Sequence, residues 1–227
     1  MKIFNCLQGV DLPAKSASDF TGLIPASCPP YGMYRNNSDG TPKIDDLLSL
    51  AITAQTSREF FILDYENSDA PTVVPDLIRA VKEVCPDLDI GVFGWPALGP
   101  AAVHATRKPY AVKPWIDLVE KTMNLPIGVK YCPCLYSSGN ASEDYATLAL
   151  VAAMFNRPEP VCKPPCVFLS NRIAGRAGLP ILTHDYLWGM MSAIESLGWE
   201  AVLWSNPTDT MFNLQTIISA ANQFAKV

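Results

Sequence analysis

Glu59-Phe60-Phe61-Ile62-Leu63-Asp64-Tyr65-Glu66 is the stretch on which the reading of this chain turns. A short apolar run of β-forming residues that stops at two carboxylates reads as a buried strand with a polar end. Residues two apart on a strand share a face, so Asp64 and Glu66 are expected to project to the same side. If the strand belongs to a parallel barrel, its C-terminal end is where catalytic groups gather. Two acids held that close disfavour double ionisation, which lifts one pKa and lets a carboxyl keep its proton near neutral pH. Glycoside hydrolysis needs such a proton donor. The same D-x-E pattern also occurs in ordinary solvated loops.

Working outward, strand-like and helical stretches alternate. Strands are expected at Lys2–Leu7, Gly32–Arg35, Phe60–Asp64, Leu88–Phe93, Ile127–Tyr131, Val167–Ser170 and Ala201–Trp204. Helical spacing covers Ile44–Gln55, a segment from Pro71 or Thr72 to Val84, Pro114–Met123, Ser142–Phe155, His184–Leu197 and Leu214–Ala225. Strands separated by helices of this length indicate βαβ units and a parallel sheet. The expected fold is therefore an α/β, irregular (β/α) TIM-type barrel of about seven strands, with residues 1–227 as a single domain. A doubly wound sheet competes, but no Gly-rich phosphate loop follows the first strand.

Composition narrows the function classes. The 227 residues are 49% hydrophobic with a net charge of −5. No basic block is available to neutralise phosphates, so nucleic acid is disfavoured as a partner. No apolar run reaches the roughly 20 residues of a membrane span. Residues 1–10 are too short and polar for a signal peptide. Seven cysteines with only two histidines argue for disulfides in an oxidising, extracellular compartment over a metal site, with the pairing left open. Neither G-x-S-x-G nor a well-placed histidine supports a nucleophilic triad, and His184 after Thr183 reads as a helix-start or surface residue. No cofactor is expected.

Several strand ends carry polar or aromatic residues: Asp64 and Glu66, Trp95, Tyr131 to Tyr136, Ser170 to Arg172, and Trp204 to Asn206. In a barrel these converge on one face. Carboxylates ringed by Trp and Tyr suit a sugar, whose C–H surfaces pack on aromatic faces. Core filling is the competing role for each ring, and is preferred for Trp188 and Trp199.

In order along the chain, Phe61-Ile62-Leu63-Asp64-Tyr65-Glu66, Tyr131-Cys132-Pro133-Cys134-Leu135-Tyr136, Ser170-Asn171-Arg172-Ile173 and the stretch from Thr183 to Trp204 resemble segments of the animal and venom hyaluronidases, endo-acting β-N-acetylhexosaminidases on an irregular barrel. The resemblance covers most of the chain, as a shortened and divergent version. It implies that Glu66 is the general acid/base, that Asp64 shares its proton and orients the substrate acetamido group, and that this group attacks the anomeric carbon in a retaining, substrate-assisted reaction. It further implies that Tyr136 bonds the polarised acetamido oxygen and that Trp204 walls the pocket. Trp95, Tyr131, Arg172 and Asn206 are the remaining candidates for contact with a hyaluronan-, chondroitin- or chitin-like polysaccharide. The chain departs from the family in having Asn67-Ser68-Asp69-Ala70-Pro71 after the D-x-E, a shorter region between Tyr136 and Ser170, and no basic groove. A non-catalytic carbohydrate-binding or structural barrel and a muramidase-like lysozyme are the alternatives.

Overall fold

The computed structural model describes residues 1–8, 12, 20, 22–29, 33, 34, 37, 41–65, 69–95, 108, 112–155, 165–173 and 178–225. Seven strands run in the order β1 (Ile3–Cys6), β2 (Ile24–Ser27), β3 (Phe60–Leu63), β4 (Ile90–Phe93), β5 (Lys130–Cys132), β6 (Cys166–Ser170) and β7 (Glu200–Trp204). Among the described residues the helices are α1 (Ile44–Thr56), α2 (Ala70–Val84), α3 (Val112–Thr122), α4 (Ala141–Phe155), α5 (His184–Ser196) and α6 (Met211–Asn222). The sheet order is β5-β4-β3-β2-β1-β7-β6, and every pairing within it is parallel. The two ends of that order then meet. Cys134 bridges Phe168, the Phe168 N–H donates to Pro133 O at 2.9 Å, and the Leu135 N–H donates to Phe168 O at 3.1 Å. The result is a nearly closed α/β barrel of TIM type, as the alternation of elements predicts.

One strand differs from expectation. Met33 and Tyr34, the described part of Gly32–Arg35, belong to no strand, and Ile24–Ser27 takes the second place. Pro25 within Ile24-Pro25-Ala26-Ser27 removes a ladder donor and hides this strand from a propensity reading. The fifth strand begins at Lys130, with Ile127 fully exposed in the turn ahead of it.

Strand alternation divides the core into an inside and an outside. Phe4 and Cys6 of β1, Ala26 of β2, Phe60 and Ile62 of β3, Cys132 of β5, Cys166 and Phe168 of β6 and Val202 of β7 pack together inside the barrel. Their neighbours in sequence face the helices. Phe61, Leu63, Ile90 and Val92 pack on α1 and α2, while Val167, Leu169, Ala201 and Leu203 pack on α5 and α6. Gly91 leaves room inside: a Cβ there would lie 2.5 Å from Cys132 Sγ and 2.7 Å from Phe60 Cζ, so the missing side chain of β4 is replaced by the Phe60 ring. In α2, Pro75 cannot donate to Pro71, and Asn124 Nδ2 supplies the bond instead, at 2.8 Å from Pro71 O. Thr183 caps α5, accepting from the Tyr186 N–H, and His184 is the first helical residue, its ring against Gln223. Trp199 is buried, whereas Trp188 on α5 is half exposed beside Phe224.

The floor of the barrel is polar. Lys130 Nζ lies over the Phe4 and Phe60 rings and donates to Glu200 Oε2, an oxygen that also accepts from Cys166 Sγ at 3.0 Å. Burial works against the Lys130 ammonium, but the bond to the Glu200 carboxylate and its charge oppose it, and the Lys130 pKa is raised. Beneath it, the N-terminal mouth holds a cavity of about 340 Å³. Removing one member of a buried pair strands the other charge. K130M is therefore expected to cost about 3–5 kcal/mol, and K130M/E200L to recover most of it, when both are compared by denaturant unfolding.

Candidate active site

The C-terminal mouth of the barrel is built from the same alternation. Residues 60, 62 and 64 share one face, so Asp64 continues inward beyond Phe60 and Ile62. From the end of β5 comes Tyr136, and from β7 comes Trp204. Both pack on the inner cluster and stack on each other, with centroids 5.5 Å apart and planes at 28°. Phe93 of β4 joins them at 6.5 Å from Tyr136 and meets Phe168 edge-on at 4.7 Å. Asp64, Tyr136 and Trp204 are thus brought to one mouth, and the Asp64 charge acts on the Tyr136 hydroxyl. Glu66 lies outside the described residues.

Four other sequence candidates are placed elsewhere. Tyr131 is fully buried in the layer between the sheet and α1/α2, and its hydroxyl accepts from the Leu125 N–H at 3.1 Å. It is one residue out of phase with Cys132, Cys134 and Tyr136, and so faces away from the mouth. Trp95 would be in phase with Phe93, but Gly94 at φ 69° turns the chain and Trp95 is buried in the same outer layer. These two rings fill the core and do not line the barrel. Arg172 is committed to Asp209: Nε donates to Oδ1 at 2.7 Å, Nη2 lies 2.6 Å from the same oxygen, and Nη1 donates to Leu179 O at 2.7 Å. Asn206 Oδ1 closes a turn by accepting from the Thr208 N–H and hydroxyl at 3.1 and 2.9 Å. Asp209, buried, also accepts from Asn171 Nδ2 and the Asn206 N–H, tying the ends of β6 and β7 to the start of α6.

Tyr34 has a part that the sequence did not signal. It is fully buried, its hydroxyl accepts from the Asp64 N–H at 2.7 Å, and it donates to Asp64 O. One phenol therefore takes the place of a neighbouring strand at the point where β3 ends, and fixes the backbone that carries Asp64. It comes from a Pro- and Gly-rich stretch with no periodicity to reveal it.

Cys6, Cys28 and Cys134 lie around Tyr136 at the mouth, and the expectation of disulfides is corrected here: Cys6, Cys28, Cys85, Cys132, Cys134 and Cys166 form no disulfide with one another. Cys162 lies outside the described residues. The contact with Cys6 and burial both push the Cys28 thiol up, and burial pushes up the Tyr136 hydroxyl, so both groups stay protonated and neutral. Among the described residues, no three His, Cys, Asp or Glu side chains are placed to hold a metal ion. No described helix is long and apolar enough to cross a membrane.

The sequence matches no family profile and none of the curated protein sequences. Comparison with solved structures does find similar folds. Bee venom hyaluronidase, in complex with a hyaluronic acid tetramer, superposes with a TM-score of 0.58 over 99% of this chain and 94% of its own, at 11% identity. Active domain 2 of a Pyrococcus furiosus chitinase, complexed with chito-oligosaccharides, gives 0.52 over 90% and 74% of the two chains at 13% identity. A Clostridium thermocellum protein that binds 5-methyl-5,6,7,8-tetrahydrofolic acid gives 0.51 over 99% and 83% at 10% identity. At these identities the likeness is one of fold. This chain has the barrel of two glycoside hydrolases, and the same barrel serves a folate binder.

Removing the Tyr34 hydroxyl leaves the Asp64 N–H and C=O without that partner in a buried setting. Y34F is expected to lower stability by about 1–3 kcal/mol with an unchanged m-value in urea unfolding.

Proposed function

We propose that this protein is a glycoside hydrolase that cleaves a polysaccharide containing N-acetylhexosamine, with Glu66 as general acid and then general base. The observation that carries this reading is the meeting of Asp64, Tyr136 and Trp204, from the ends of three strands, at the C-terminal mouth of a barrel whose fold two glycoside hydrolases share. In this reading the substrate's acetamido oxygen is the nucleophile. It attacks the anomeric carbon as Glu66 protonates the leaving oxygen, and Glu66 then takes a proton from the incoming water. Asp64 orients the acetamido N–H, the Tyr136 hydroxyl donates to its oxygen, and the Trp204 ring walls the pocket. A phenol whose pKa is raised keeps its proton throughout, as a donor must.

Among the described residues, Arg172, the arginine that follows the end of β6, is engaged by Asp209. A neutral chitin-like polymer therefore fits better than a polyanion such as hyaluronan or chondroitin. Such a substrate is met outside cells, and the protein is expected to act there. A second reading, a carbohydrate-binding barrel without turnover, is favoured by the apolar, thiol-rich lining beside Asp64.

A panel of chitin oligomers, glycosaminoglycans and peptidoglycan, assayed for new reducing ends, separates the two. The hydrolase reading expects turnover of an N-acetylated polymer that E66Q reduces by about 10²–10⁴-fold in kcat with KM little changed. Equal binding by both proteins with no new reducing ends from either would establish the binding module and remove the hydrolase.

A further inference from the structure

Tyr136 sits on the connection from β5 to α4, residues 133–140, where the bridge at Cys134 gives way to irregular chain, and its C-terminal flank is held by one buried carboxylate. Asp144, in the first turn of α4, is 5% exposed. Its Oδ2 accepts from the Ser137 hydroxyl at 2.7 Å and from the Tyr186 hydroxyl at 2.5 Å, and its Oδ1 accepts from the Ser138 N–H at 2.8 Å. The Ser137 hydroxyl in turn accepts from the Gly139 N–H at 3.0 Å. The N-terminal flank is already fixed, because Leu135 is bonded to Phe168 of β6. Tyr136 therefore lies between two anchors, one on the sheet and one on the α4/α5 pair.

The α4/α5 pair is itself tightly apposed. Gly189 of α5 faces the Tyr145 hydroxyl, which would lie 2.4 Å from a Cβ at that position. Burial and the bond to Asp144 hold the Tyr186 hydroxyl protonated far above the usual tyrosine range, so it remains a donor. A carboxylate receiving three donors while shielded from water forms strong, directional bonds. That is more than is needed to start a helix, since the Ser138 N–H bond alone would hold the turn.

We propose that Asp144 is a positioning residue for Tyr136: by gathering Ser137, Ser138 and Tyr186 onto one carboxylate, it fixes the 133–140 segment so that the Tyr136 ring lies stacked on Trp204. The link to catalysis rests on the hydrolase reading above, but the link to the stack does not. Three variants test it by near-ultraviolet circular dichroism, with the band of the stacked pair identified as the signal lost in W204F. D144A removes every acceptor, Y186F removes one donor while keeping its ring, and D144N keeps one acceptor oxygen for the Ser138 N–H.

The expected result is loss of most of the band in D144A, partial loss in Y186F, and near-retention in D144N, with unchanged far-ultraviolet spectra in all three. Where turnover is measurable, kcat falls about tenfold in D144A with KM within twofold, and D144N restores most of it. If D144A does not fold, Y186F alone decides. A band unchanged in Y186F and in any folded D144A overturns the proposal, as does a D144N protein that loses the band as fully as D144A. A band that responds as expected in a protein with no turnover upholds the positioning and removes only the hydrolase.

Discussion

The barrel depends on a contact centred on the Glu200 carboxylate. Among the described residues its two ends, β5 and β6, are joined by one bridge made of two backbone bonds, too few to hold a sheet edge shut by themselves. Inside, Glu200 on β7 reaches across β6 to receive both the Lys130 ammonium of β5 and the Cys166 thiol of β6. Three neighbouring strands are thereby gathered on one buried oxygen. Side-chain exposure of 9% for Lys130 and 14% for Glu200 makes the desolvation cost real, so the pair serves geometry more than stability. It ties the N-terminal ends of β5, β6 and β7 together, opposite the end where Tyr136 and Trp204 lie.

Above that floor, the molecule separates support from lining. Polar networks hold the mouth from behind: Tyr34 on the Asp64 backbone, Asp209 on Asn171, Arg172 and Asn206, and Asp144 on the segment that carries Tyr136. Among the described residues, the lining is the Asp64 carboxylate, aromatic rings and neutral thiols. Beside these apolar groups the field of Asp64 acts in a poorly screened space. Such a setting strengthens any polar contact made inside it.

Much of this was legible from residue order. The run Phe60-Phe61-Ile62-Leu63 and its like set the strands, and the period of two placed Asp64 inward. The same period, applied to Tyr131-Cys132-Pro133-Cys134-Leu135-Tyr136, sends Tyr131 and Tyr136 to opposite sides, which rules Tyr131 out of the mouth. Trp95 was not recoverable that way, because the turn at Gly94 breaks the phase. Nor was β2, whose proline suppresses the strand signal. Arg172 was lost to a partner, Asp209, 37 residues away in sequence, and Tyr34 gained its place through a contact 30 residues distant. Local pattern assigns faces, whereas long-range polar contacts decide which of the residues on a face are free to act.

The buried cysteines carry one more consequence. Cys6, Cys132 and Cys166 are sealed inside the staves, and burial keeps the Cys166 sulfur protonated. An alkylating reagent could reach such sulfurs only when the staves part. The rate at which they are capped would then report how often the cylinder breathes, giving the molecule a built-in chemical clock for its own opening.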